Sequence, residues 1–178
     1  MNVVKEGQLT LKQIEMGLCV DQHILIHLCE KWVVKPDFED TYGRGRWRKF
    51  SRRNYFEFSL ALNLRKYEIP VGITAVIIRL LRTFERSIKK HWQDFLLIDT
   101  LVEDKAGISL YLYDGEYLAV HVGVDGREEA PLIMGFNIKK LIGAAETPVR
   151  IEKLDALPEG YASQLVVDLN RIARQSQA

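Results

Sequence analysis

Leu11, Ile14 and Glu15 fit a short helix that Gly17 is expected to stop. Asp21 is a good N-cap for a second helix. Within it Ile24, Leu25 and Leu28 recur at helical spacing with Trp32 one turn on, while Gln22, His23, Ile26, His27 and Glu30 take the other side. Pro36 sets its end at about Lys35. Two short helices joined by a brief turn at residues 17–20 are the footprint of a helix-turn-helix. Beyond them, acidic Asp37, Glu39 and Asp40 precede Gly43 and basic residues follow it. Gly43 and Gly45 predict a tight turn with residues 47–50 returning as a short strand, which makes a β-wing. Ser51 can cap a third helix with Tyr55, Phe58 and Leu62 on one stripe and Phe56, Leu60 and Leu64 beside it. Pro70 opens a fourth, running through Ile73, Val76, Ile77, Leu80, Leu81, Phe84 and Ile88 to about His91.

After Trp92 the pattern changes. Phe95-Leu96-Leu97-Ile98, continued by Leu101 and Val102, reads as a strand by its apolar content, with a buried helical turn as the alternative. Residues 108–113 and 116–124 predict two strands joined by Asp114-Gly115, the strongest hairpin signal in the chain. Leu118, Val120, Val122 and Val124 alternate with Tyr117, Ala119 and His121, so one face of that second strand is expected to be buried. Residues 131–136 predict another strand, Asn137 a cap for a short helix through Leu141 and Ile142, and Val149, Ile151 and Lys153 a last strand. Pro158 is expected to open a terminal helix carrying Tyr161, Leu165, Leu169 and Ile172 on one face. The fold class is therefore α+β: a mostly helical winged unit over residues 1–91, then a small antiparallel-sheet domain over residues 92–178.

Charge divides the same way. The 178 residues carry 25 Lys and Arg against 24 Asp and Glu, a net +1 that seems to argue against a polyanionic partner. Residues 1–92 hold 17 basic and 10 acidic side chains, whereas residues 93–178 hold 8 and 14. Such segregation points to a nucleic-acid or membrane contact on one side only. No apolar stretch approaches the ~20 residues of a bilayer span. No basic-then-apolar leader precedes Gln8, so a cytoplasmic location and no membrane partner are the expectation. Two cysteines are too few for a disulfide framework.

The densest chemical signal is Arg44-Gly45-Arg46-Trp47-Arg48-Lys49-Phe50-Ser51-Arg52-Arg53, six basic residues with no acidic one among them. Guanidinium forks suit phosphate oxygens, and a helix start offers free N–H groups to an anion. The alternative is a solvated basic loop whose arginines pair with Asp37, Glu39 and Asp40. Cys19, His23 and His27 follow at i, i+4 and i+8, and histidines so spaced can bind zinc. A fourth ligand is not evident, and a buried thiol with two surface histidines explains the same letters, so neither metal nor cofactor is expected. His91 and His121 have Asp94, Asp114, Glu116 and Asp125 near them in sequence. No nucleophile elbow, phosphate loop or metal motif surrounds them. The carboxylates read as turn formers and caps, and no enzyme is expected.

The order of helix-turn-helix, basic wing, third helix and the turn Leu64-Arg65-Lys66-Tyr67-Glu68-Ile69-Pro70 into a fourth helix resembles the winged-helix domain of MerR-type regulators. Val20, Asp21 and Leu25 match the opening of that family's second helix. Trp47, Arg48, Phe50 and Ser51 match its wing and helix cap. The likeness covers residues 9–91. It implies a DNA-binding transcriptional regulator, with double-stranded DNA read by Gln22, His23 and His27 in the major groove and phosphates held by Arg44, Arg46, Arg48, Lys49, Arg52 and Arg53. It also implies a homodimer, through the fourth helix or the second domain, where an effector or protein partner is the other expected role. Where the family places an arginine and a tyrosine on the second helix, this chain has Ile26 and His27, and where it places glycines, Trp32 and Glu68 stand. An exposed Ile26 beside Trp32 would suit a protein contact, so the alternative is a chaperone-modulator-like adaptor that does not bind DNA.

Overall fold

The computed structural model describes residues 8–39, 48–89, 93, 95–123, 132–138 and 152–175. Thr10 opens α1 (Leu11–Leu18) with a capping box, its hydroxyl accepting from Gln13 N–H at 3.2 Å while the Gln13 side chain accepts from Thr10 N–H at 2.8 Å. Gly17 does not stop this helix. It stays inside, where Tyr55 packs so close that an added Cβ would stand 2.2 Å from its hydroxyl, and the helix ends instead on Cys19 in the left-handed region at φ 52°. α2 (Gln22–Glu30) follows Asp21, whose side chain makes no capping bond. It ends five residues before the expected Lys35, with Trp32 at φ 56° turning the chain so that Val33 and Val34 drop into the core.

β1 (Phe38–Glu39) pairs antiparallel with β2 (Arg48–Lys49), and Leu9 and Phe50 extend the pairing by exchanging backbone bonds of 2.7 and 2.9 Å. Ser51 caps α3 (Arg52–Lys66) as expected, and Pro70 precedes α4 (Val71–Lys89). Glu68, at φ 58°, makes the turn between these two helices. The apolar face of α4, from Val76 to Phe84, is buried within the chain.

The stretch read as a strand at residues 95–98 is instead an extended lead-in followed by α5 (Leu97–Val102). Leu97 and Leu101 bury together one helical turn apart, and Phe95 sets its ring edge-on to Phe84 at 6.4 Å. β3 (Gly107–Tyr113) and β4 (Tyr117–Gly123) form the expected hairpin, with Asp114 and Gly115 both at positive φ. β5 (Leu132–Asn137) and β6 (Glu152–Leu154) complete one side; the helix expected after Asn137 and the start of the last strand, Val149 and Ile151, lie outside the described residues.

The terminal helix is shorter than expected. Residues 164–168 join the sheet as β7 (Gln164–Asp168), and only α6 (Leu169–Gln175) is helical. Val166 and Val167 are β-branched and favour the pleat, and Asp168 then accepts from Arg171 N–H at 3.1 Å to start the helix. Tyr161 is therefore not on a helix face but lies against Tyr113, ring centroids 4.9 Å apart, and Tyr117, 6.0 Å apart.

The fold is α+β: helices first, then a five-stranded antiparallel sheet ordered β6-β5-β4-β3-β7, and a closing helix. One apolar cluster runs through both halves, from Ile14 and Leu25 through Phe58, Leu80 and Phe84 to Leu110, Val120 and Ile172. α3 sits at its centre, packing on α4, α5 and α6.

Candidate nucleic-acid interface

α2 buries Leu25, Leu28 and Cys29 and turns Gln22, His23, Ile26, His27 and Glu30 to solvent. Helical geometry explains the division: positions 25 and 28–29 lie on one side, 22–23, 26–27 and 30 on the other. Ile26 is 37% exposed and Trp32, beyond the helix end, 74%. All three residues predicted to read DNA thus share an accessible face.

The wing meets its expectation in its paired strands. Phe38 stands opposite Lys49, and Glu39 opposite Arg48. Arg44, Arg46 and the wing turn lie outside the described residues. Phe50 anchors the returning strand: it is fully buried, its ring edge-on to Phe58 at 5.4 Å. That anchor leaves Lys49 half-buried one residue before it.

At the start of α3 a buried polar cluster takes up Ser51 N–H and Asn54 N–H, two of the groups expected to face an anion there. Asn54 is 0% exposed and uses its whole amide: Oδ1 accepts from Asp37 N–H at 2.9 Å and Ser51 N–H at 3.1 Å, while Nδ2 donates to Lys35 O at 2.9 Å and Glu57 Oε2 at 3.1 Å. Arg82 of α4 grips the Glu57 carboxylate with two nitrogens at 2.5 and 2.6 Å, and reaches Lys35 O at 3.2 Å and Asp37 Oδ1 at 3.3 Å. The Ser51 hydroxyl donates to Asp37 and accepts from Asn54 N–H. Burial pushes the Glu57 carboxyl above its ordinary value, against the opposing pull of Arg82 and Asn54. The cluster ties the root of the wing to α3 and α4 at once.

This changes the assignment of charge. Among the described residues Asp37 pairs with Arg82, and Arg53 pairs with the buried Glu85, which also holds Lys89 at 3.1 Å. Arg52 is exposed and makes no ion pair among the described residues. Of the residues predicted to hold phosphate, Arg52 and Lys49 thus have free charge in the described part, and Arg53 is committed internally. A cleft of about 320 Å³ beside this helix start is walled by Leu96, Leu97, Ile98 and Asp99 of the second half. One acidic residue of that half therefore stands beside the basic one.

Sequence reasoning missed Asn54, Glu57, Arg82 and Glu85. The signal was present: polar residues at 54 and 57 interrupt the apolar stripes of α3, and positions 82, 85 and 89 share one face of α4. Cys19, His23 and His27 do not lie on one helix, since Cys19 caps the end of α1. Among the described residues no group of three or more His, Cys, Asp or Glu is placed to hold a metal ion. Among the carboxylates, Asp114 accepts from Ser163 N–H and Oγ–H, both at 2.7 Å, and from Ala162 N–H at 3.2 Å. These bonds, the Ser163 side chain first, hold its carboxyl below its ordinary value. Among the described residues no helix is long and apolar enough to cross a membrane. Neither a protein-family profile nor a curated protein matches this chain.

Proposed function

We propose that the protein binds double-stranded DNA as a winged-helix regulator similar to the MerR type, with α2 entering the major groove and the wing and first turn of α3 on the flanking phosphates. The observation that carries this reading is the accessible face of α2, with Gln22, His23 and His27 on it, in a unit whose basic wing is rooted by its own buried cluster. A second observation supports the resemblance. Trp32 and Glu68 stand where that family uses glycine, and both have φ near +57°, at 56° and 58°, the conformation glycine adopts without cost. A positive φ at both positions is what the resemblance leads one to expect where glycine is the usual residue. Phosphates would be held by Arg44, Arg46, Arg48, Lys49 and Arg52, with Arg53 contributing only if it leaves Glu85.

The adaptor reading rests on Trp32. A left-handed conformation costs a non-glycine residue about 1–2 kcal/mol, and the indole, 74% exposed, has little buried surface to offset it. Strain retained on an exposed aromatic favours a contact with another protein.

A shift assay on random duplex separates the two. Binding at low salt that weakens steeply as salt rises, and is lost with Arg46→Ala plus Arg48→Ala, is the expected result. No binding at low salt, or binding indifferent to that pair, refutes the DNA reading. A stoichiometric protein partner lost on Ile26→Glu would establish the adaptor in its place.

A further inference from the structure

β7 is the terminal strand of the sheet order, so among the described residues one of its edges pairs with β3 and the other pairs with nothing. An outer strand presents a row of N–H and C=O groups to any strand that approaches, and proteins blunt such edges with lysine, proline, bulges or a covering element. Gln164-Leu165-Val166-Val167-Asp168 contains neither lysine nor proline, and its ladder to β3 runs unbroken from Ser109↔Asp168 to Tyr113↔Gln164. Val166 at its centre is 50% exposed. An open groove runs alongside, lined by Asn63, Lys66 and Tyr67 at the end of α3 and by Val166, Asp168 and Arg171.

We propose that this edge is the seam of a homodimer, β7 pairing antiparallel with β7 of a second copy about a two-fold axis at Val166. The strand's own residues select both occupant and register. With Val166 opposite Val166, Gln164 meets Asp168 and Leu165 meets Val167, so each polar residue faces a polar one and each apolar residue an apolar one. The Gln164 amide can donate to the Asp168 carboxylate, and the axis repeats that bond. The neighbouring registers that keep the same face set Val166 against Gln164 or Asp168. A one-residue slip turns the covered face of one copy toward the open face of the other. In the matched register two five-stranded sheets become one, with Leu165 and Val167 of both copies on the helix-covered face. α4, the other expected seam, has already spent its apolar face on its own core. The inference is independent of DNA binding, because it is read from mass.

The test is molar mass in solution for the full chain over a concentration series. Val166→Lys and Val166→Glu each place two like charges together at the axis. The side chain is half in water, so both variants keep the fold, and a circular-dichroism melt verifies it. The wild type is expected to dimerise, each variant to be monomeric, and an equimolar mixture of the two to form a heterodimer. A wild type monomeric throughout, a dimer that survives Val166→Lys, or folded variants that stay apart on mixing would each overturn the proposal.

Discussion

Each half of the molecule pins a stretch of loop with one buried asparagine, and the two solutions differ in what surrounds them. Asn54 gathers Lys35, Asp37 and Ser51 around the start of α3. Asn170, 6% exposed on α6, accepts from Ile108 N–H at 2.8 Å and places its Nδ2 within 2.9–3.2 Å of Ala106 O, Asp104 Oδ1 and Leu101 O, closing the turn between α5 and β3. Asn170 works almost wholly with backbone. Asn54 also touches Glu57, and through it the ion pair with Arg82. A neutral amide satisfied by backbone costs little to bury, whereas a carboxylate out of water needs its cation and every remaining hydrogen bond. The helical half therefore holds its wing by a costlier device than the sheet half uses for its turn.

The largest expected effect follows from that difference. Arg82→Ala takes the cation from the buried Glu57, which must then stay charged without it or take up a proton, and should lose about 3–5 kcal/mol. Glu57→Gln combined with Arg82→Met removes the charge together with its partner and should lose clearly less. Urea denaturation measures both, and a single variant costing no more than the double would mean that Glu57 is solvated. Next come Asn54→Ala and Asn170→Ala, each leaving buried backbone groups without partners at about 1–3 kcal/mol per group. Amide exchange separates the two: the Asp37 and Ser51 N–H groups should exchange faster only in the first variant, and Ile108 N–H only in the second. If either variant speeds exchange at both places, the two clusters are one cooperative unit.

Relief of backbone strain has a smaller effect and the opposite sign. Trp32→Gly and Glu68→Gly should each raise stability by about 1 kcal/mol, because glycine accepts the positive φ that both positions hold. Glycine that destabilised Trp32 would show that the indole packs on something despite its exposure. The least effect is expected at Asp114, whose exposed carboxylate holds Ala162 and Ser163. Its folded pKa lies below the unfolded one, so its contribution is complete above the ordinary aspartate range and is lost as pH falls through the folded value. Asp114→Asn keeps a residue that tolerates φ 48° and removes the charge together with one of the two accepting oxygens. The stability gap between wild type and this variant should be present at neutral pH and close in acid, and a gap unchanged at pH 2 would assign the effect to shape rather than charge.

Local signals were legible where one turn or one cap decides the outcome. Ser51, Pro70 and Asp114-Gly115 marked their elements because the chemistry of a cap, a first helical turn or a positive-φ turn lies in the residues themselves. The misreadings fell on short apolar runs. Residues 95–102 and 161–172 satisfy helix and strand periods almost equally, and neighbours chose: Phe84 and the sheet made the first a helix, and an available edge of β3 drew residues 164–168 into a strand. The candidate site divides in the same way. The exposed face of α2 follows from helical spacing, whereas the loss of Arg53 to Glu85 and of the Ser51 hydroxyl to Asp37 needed partners 32 and 14 residues away.

By itself the sequence determined the helical and sheet halves, the segregation of charge between them and the face of α2 left to solvent, because each depends on the order and spacing of nearby residues. Only the tertiary structure decided which of the described basic residues keep a free charge, that one apolar core runs through both halves, and that the sheet among the described residues ends on β7. Those outcomes depend on which distant carboxylate, ring or strand arrives within a few ångströms, and no local pattern encodes that distance.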